Sequence, residues 1–319
     1  MNKQELLEFL KEKTRVVNIK FPCEIDFNGK DHTITIFMSN GVANNMQEDC
    51  AAFESWAVIL RRWLKEFDKI ILKWDYTKKE DLHYKRFLYR VSKFKQLFNG
   101  WFDVDENNRQ LLDEVVDFSK EKCVLNAPSR VREEAVRLHK KATKENVLER
   151  QFISEAKALL SKVAGLDIAK IDRQLPVGVF HREIKAKNEV FPRRKSAVDI
   201  WGISKDHKTL NIFELKDSKN MKVGVISEIF FYVLLMEEIQ KGTLKFGKTS
   251  KSRLKPENEI PITNKIKAYI LAPRLHPLID KEILQMFNRA FHNKGRRIEF
   301  GFLKFGEKLG RINYIEKCN

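Results

Sequence analysis

Cysteine is scarce: Cys23, Cys50, Cys123 and Cys318 are the four in 319 residues, and no two form a C-x-x-C pair. That excludes a zinc ribbon and argues against a disulfide framework, so reduced thiols are expected. Long apolar runs are missing as well. The longest candidate, residues 223–235, is interrupted by Glu228, and falls short of the roughly 18 apolar residues of a membrane span. Residues 1–5 are charged and carry no apolar signal core, which makes the cytoplasm the expected location and a membrane partner unexpected. No Gly-x-y period is present, which excludes a collagen-like chain. The seven histidines show neither H-E-x-x-H nor any other paired-ligand spacing, so His181 and His207 read as surface residues. The absence of G-x-S-x-G removes support for a serine-hydrolase elbow.

What is present is enough apolar material for real cores, 43% of residues with 11% aromatic. At roughly 150 residues per domain the length suggests about two domains. Lys and Arg number 61 against 44 Asp and Glu, a net charge of +17. Such an excess suits a polyanionic partner but says nothing of fold. It is unevenly spread: residues 1–145 carry a net +3 and residues 146–319 a net +14. The second half is therefore where a polyanion site is expected. The polar stretch 139–144 reads either as one exposed helical turn or as a boundary dividing the chain into domains 1–144 and 145–319.

The first domain reads as mixed α/β. Asn28-Gly29, between apolar segments 24–27 and 33–38, signals a hairpin because both positions tolerate positive φ. Helical periodicity is expected at 46–67 and 81–98, and strands at 69–74, 101–104 and 123–125. On the helix at 81–98, Tyr84, Lys85, Arg86, Tyr89, Arg90 and Lys93 read either as a solvated face or as a nucleic-acid contact. No catalytic pattern is evident here, so substrate recognition or dimerisation are the roles left for this domain. In the second domain, helices are expected at 146–163, 223–239 and 278–291, and strands at 174–180, 197–203, 210–216, 267–272 and 297–302. The order α-β-β-β-α-β-α-β implies a mixed sheet flanked by helices.

Chemistry concentrates in Ile212-Phe213-Glu214-Leu215-Lys216 and Ala197-Val198-Asp199-Ile200-Trp201. Alternate strand residues share a face, so Glu214 and Lys216 point one way while Phe213 and Leu215 enter the packing. Charges in an apolar strand are costly unless they have partners or work to do. Two neighbouring strands, each with an acid, can hold a divalent cation, and hard oxygen ligands favour magnesium or manganese. On the upstream helix, advancing about 100° per residue from Leu148, Glu149 falls inside the apolar face and Glu155 at its edge. Glu149 is therefore the better third acid.

Together these residues resemble the PD-(D/E)xK nuclease superfamily, with its restriction-endonuclease-like fold. Glu149-Arg150 looks like the acidic position of the resolvase and exonuclease branches. Asp199 matches the motif aspartate, and Glu214-Leu215-Lys216 matches (D/E)-x-K. Val198 stands where the family name has Pro. Tyr232 lies on the following helix, and Glu228 occupies a place where some branches carry Gln. The resemblance covers residues 146–303. It implies an α/β fold with an α-β-β-β-α-β core, and a magnesium- or manganese-dependent deoxyribonuclease. Asp199, Glu214, Glu149 and the Leu215 carbonyl would hold the metal, with Lys216 acting on water or on transition-state charge. Arg193, Arg194, Lys195, Lys219 and Lys222 would grip phosphates. DNA is the partner implied, a homodimer is compatible, and a restriction or defence role follows by analogy alone. The alternative is a catalytically inactive nucleic-acid-binding module in which Glu214 and Lys216 form a structural ion pair. A lysine working in a metal cleft would leave stability nearly unchanged on replacement by alanine.

Residues 242–249 satisfy G-x-x-x-x-G-K-[ST], yet the expected context is wrong for cradling phosphate. A helix precedes the loop, and Pro256 and Pro261 follow it, where the mechanism needs strand, loop and helix. A basic loop is the expectation.

Overall fold

The computed structural model describes residues 1–76, 78–128, 143–163, 165–192, 196–218, 222–250, 254–318. The chain is mixed α/β and divides into two compact units. The first comprises Met1–Val116, Lys222–Phe230 and His276–Lys294; the second comprises Asp117–Met221, Phe231–Leu275 and Gly295–Asn319. The single cut expected between 144 and 145 therefore differs from the observed packing. Two later segments pack with the first unit, because their aromatic side chains complete its core: Phe230 and Phe287 both lie against Phe94. Among the described residues, no helix is long and apolar enough to cross a membrane.

The first unit contains a four-stranded sheet in the order β1 (Ile25–Lys30), β2 (Thr33–Met38), β3 (Lys69–Trp74), β4 (Phe102–Val104). The first pair is antiparallel and the remaining pairs parallel. Helices Phe53–Trp63 and Leu82–Phe98 connect the parallel strands, as parallel neighbours require. The first is shorter than the expected 46–67. The second starts where the Asp81 carboxylate accepts the His83 and Tyr84 N–H groups, satisfying otherwise orphaned donors. The hairpin turns at Asp31-His32, both with positive φ, rather than at Asn28-Gly29. Gly29 lies within β1 for a packing reason: a Cβ there would come within 2.8 Å of the Phe67 ring.

Arg86 and Arg90 on Leu82–Phe98 are buried, so neither belongs to a nucleic-acid face. Arg90 Nε donates to Glu54 Oε1 at 2.7 Å and Nη2 to the Ala51 carbonyl at 3.1 Å. Elsewhere in this unit, the Nδ1 of His276 accepts the Leu278 N–H at 3.2 Å. Burial pushes its pKa down from 6.5 to about 4. The unfolded chain thus takes the proton first on acidification, so the unit keeps full stability above about pH 6.5 and loses it towards pH 4. The loss should reach about 1–3 kcal/mol. Urea midpoints at pH 7 and 4.5 should diverge for the wild type and much less for His276→Asn; equal divergence would place the acid sensitivity elsewhere.

The second unit supplies β5 (Cys123–Leu125), β6 (Ile168–Pro176), β7 (Val179–His181), β8 (Ala197–Ser204) and β9 (Thr209–Leu215). It continues with β10 (Lys245–Phe246), β11 (Lys265–Ala272), β12 (Ile298–Lys308) and β13 (Arg311–Cys318). Six strands form one mixed sheet in the order β13-β12-β11-β9-β8-β6, and β10-β5-β7 form a small second sheet. Strand β9 is buried along nearly its whole length, and lies between antiparallel β8 and parallel β11, as a central strand should. The loop 242–249 contributes β10 to the small sheet, and the next helix is only Pro256–Glu259. Strand β13 has no counterpart in the expected order. The expected strand at 174–180 proves to span the end of the nine-residue β6 and the start of β7, which belong to different sheets.

The expected helix 146–163 is likewise broken, into Lys144–Ile153 and Lys157–Lys162. Ser154 Oγ bonds back to the Arg150 carbonyl at 2.7 Å, and the Ala156 N–H reaches the Gln151 carbonyl at 2.8 Å. The Ser154 N–H keeps its regular bond to the Arg150 carbonyl at 3.1 Å, so the Ala156 bond is the one that departs from the ladder, and the Ser154 hydroxyl crowds the same carbonyl. Leu148, Phe152 and Leu160 still pack with Ile200, Phe213, Leu215, Tyr269 and Leu271. That layer covers one face of the large sheet and fixes where the polar residues between these positions can point.

Candidate active site

Because strand faces alternate, burial of Phe213, Leu215 and Ile200 under the helical layer directs Glu214 and Asp199 to the opposite face. The β8–β9 ladder ends at the pair Ile200 and Phe213. Beyond it, Asp199 Oδ2 accepts the Leu215 N–H at 2.9 Å. The Lys216 N–H continues on the other side to the Leu271 carbonyl at 3.0 Å. Lys216 Nζ lies 2.5 Å from Glu214 Oε1, with Glu214 buried and Lys216 largely so. Each residue of the E-x-K tripeptide thus has a distinct anchor: an ion pair, the Asp199 carboxylate and β11.

Glu149 enters from Lys144–Ile153, buried at 3% relative exposure, whereas the Glu155 side chain is 61% exposed. Its Oε2 accepts from Arg173 Nη1 at 3.1 Å and its Oε1 from the Gln174 amide at 3.0 Å. Burial pushes the Glu149 carboxyl above the usual glutamate range, against the opposing pull of Arg173 and Gln174. The same Gln174 amide lies 3.5 Å from Asp199 Oδ1. Gln174 has φ 55 inside β6, a left-handed conformation that costs a non-glycine residue about 1–2 kcal/mol. It breaks the strand's alternation, and its side chain reaches both acids.

Glu149, Asp199, Glu214, Leu215 and Lys216 are therefore gathered at one end of β8 and β9. Arg173 and Gln174 complete the arrangement, and sequence reasoning missed both. The strand expected there began at Gln174, and nothing in the one-dimensional pattern marks a polar residue that will turn left-handed. Among the described residues, the three acids are not drawn into a single ligating cluster; the Gln174 amide lies between Glu149 and Asp199, and Glu214 is paired with Lys216. The donor set itself, three carboxylates and a backbone carbonyl, fits a hard divalent cation such as magnesium or manganese.

Arg193, Arg194, Lys195 and Lys219 lie outside the described residues. Lys222 belongs to the first unit and pairs with Glu48, so part of its charge is met by an acid. Glu228 is held by the Gln47 amide, and Tyr232 is buried in the second unit. The first unit also has a concavity of about 910 Å³, whose lining includes Arg61, Arg62, Lys65, Trp101, Arg289 and Lys294. Two of these cations are already paired, Arg62 with Asp280 and Arg289 with Glu282.

No protein-family model, curated protein or solved structure matches this chain.

Proposed function

We propose that the second unit is a metal-dependent phosphodiesterase acting on DNA, with the restriction-endonuclease-like arrangement that the PD-(D/E)xK resemblance implies. The observation carrying this reading is the convergence of Asp199, Glu214 and Lys216 where the β8–β9 ladder stops, with Glu149 tied to Asp199 through Gln174. The element order around the six-stranded sheet and the +14 charge of residues 146–319 support it further.

Asp199, Glu214, Glu149 and the Leu215 carbonyl would hold magnesium or manganese. Such an ion, when bound, supplies Lewis acidity towards a phosphate ester and lowers the pKa of a bound water. Lys216 provides positive charge at a fixed point, because its backbone is pinned to β11, and can stabilise charge that grows on a phosphoryl group. Gln174 and Arg173 orient Glu149. Arg193, Arg194, Lys195 and Lys219 are the phosphate-gripping cations of this reading, and the cytoplasm is the proposed location.

A second reading has one observation in its favour. The Glu214–Lys216 contact is a closed ion pair, which would suit an inactive nucleic-acid-binding module. Incubation of the full chain with linear, circular and single-stranded DNA in magnesium, manganese or EDTA separates the two. Cutting with either metal and none with EDTA is expected. Retention of DNA in a mobility shift, with every substrate left intact, would favour the module.

A further inference from the structure

His181 was expected to be an isolated surface residue. It is half-exposed, and it lies beside two further side chains of types that bind metals, Glu121 and Cys123, in the second unit. Strands β5 and β7 are antiparallel, with Cys123 directly opposite His181. Glu121 sits two residues before Cys123, on the turn leading into β5. His181 Nδ1 lies 4.0 Å from Cys123 Sγ and 3.3 Å from Glu121 Oε2. The ligand atoms of all three lie within 4.8 Å of one another. We propose that Glu121, Cys123 and His181 form a zinc site with a fourth coordination position open to water or to a small anion.

The distances suit that ion. With Zn–S near 2.3 Å and Zn–N and Zn–O near 2.0–2.1 Å, a tetrahedral centre needs N···O and N···S separations of about 3.3 and 3.6 Å. Closing the nitrogen–sulfur gap takes a few tenths of an ångström, and the sulfur and the Glu121 carboxylate, within 4.8 Å of each other, must close to about 3.6 Å as well. A single histidine nitrogen, Nδ1, faces both other ligands, so one tautomer serves the site. The mixture of thiol, imidazole and carboxylate selects zinc over magnesium or calcium, which take oxygen ligands.

The scaffold is built to hold these groups in place. The Cys123 N–H bonds to the Phe118 carbonyl at 2.9 Å, and the Arg182 N–H to the Lys122 carbonyl at 3.1 Å. Lys122 and Arg182, flanking the ligands on both strands, have φ 51 and 57. Glu121 Oε1 accepts the Asp117 N–H at 3.2 Å, leaving Oε2 directed at His181. Support of a ligand's second oxygen in this way is a usual feature of metal sites. The open position follows from a concavity of about 470 Å³ lined by Glu121, His181, Arg182, Glu183 and Asn188. Cys123 is buried and forms the closed side.

The proposal is independent of the nuclease reading and uses none of its residues. The test is equilibrium dialysis of the chelator-treated full chain against zinc, with cobalt(II) as a spectroscopic substitute. One zinc per chain is expected at this site, together with a thiolate-to-cobalt charge-transfer band in the near ultraviolet. Cys123→Ser should abolish the band, and His181→Asn should weaken zinc binding at least tenfold. Asp199→Asn should leave both unchanged, which separates this site from the carboxylate site. Zinc should raise the thermal midpoint of the wild type by several degrees and that of His181→Asn far less. Because His181 is half-exposed, its variant remains usable if Cys123→Ser, altered in the interior, fails to fold. Absence of the band, or zinc binding that survives His181→Asn, would overturn the proposal.

Discussion

Lys216→Ala is expected to lower metal-dependent DNA cleavage by at least about 10²–10³-fold, the usual cost of removing a group that stabilises transition-state charge. The sequence alone suggested that stability would hardly change. The structure alters that expectation. The Glu214 side chain is only 2% exposed and its Oε1 is held by Lys216 at 2.5 Å, so truncating the lysine strips a buried carboxylate of its ammonium. Breaking such a pair costs on the order of 3 kcal/mol. Loss of activity and loss of stability are therefore both expected, and neither alone identifies the role. Magnesium discriminates between them. If Asp199 and Glu214 take a cation, magnesium should raise the thermal midpoint of Lys216→Ala more than that of the wild type, because the variant has the larger unmet charge. Asp199→Asn supplies the isosteric control: it keeps an oxygen for the Leu215 N–H while removing a negative charge, and should lose cleavage while remaining folded. Cleavage that persists in both variants would place any nuclease activity outside this constellation.

The largest purely structural effect is expected at Glu54. Its side chain and that of Arg90 are 0% and 2% exposed, and the arginine guanidinium also lies 5.3 Å from the Phe53 ring centroid. Glu54→Ala would leave Arg90 buried without its carboxylate, and the first unit should lose about 3–5 kcal/mol. Replacing both residues together, as Glu54→Leu with Arg90→Met, should cost much less, because the desolvation of two charges is then relieved along with their attraction. Urea unfolding followed by tryptophan fluorescence is the measurement. Trp56, Trp63, Trp74 and Trp101 belong to the first unit and only Trp201 to the second, so the signal reports mainly on the affected part. A loss below about 1 kcal/mol for Glu54→Ala would show that the site rehydrates and that the pair contributes little.

Much of the local structure is legible without coordinates. Lys69–Trp74 and Cys123–Leu125 coincide with the strands expected there. Ala197–Ser204, Thr209–Leu215 and Leu82–Phe98 agree to within a residue or so. These segments have strong apolar patterning and polar or capping residues at their ends, which are local properties. Elements departed from the pattern where a packing contact or a hydrogen bond outside the apolar period decided the outcome. Gly29 resembles a turn residue but admits the Phe67 ring. The helix at 144–162 is interrupted by Ser154 and Ala156 hydrogen bonds that no hydrophobic period records.

The candidate site divides in the same way. Composition and alternation by themselves place Asp199 and Glu214 among apolar strand residues, set Lys216 two residues beyond Glu214, put Glu149 on a helix's apolar face and assign the positive charge to the second half. These depend only on which residues are neighbours along the chain. Tertiary structure alone decided that Gln174 turns left-handed to reach Glu149 and Asp199, and that Lys216 closes on Glu214. It also decided that Arg86 and Arg90 are interior, and that Cys123 meets His181 across 58 residues. Each of these depends on which strands lie side by side and where their ladders end. Which strands lie side by side is fixed by the packing of the whole unit, whereas a pattern of period two shows only which face of a strand is buried.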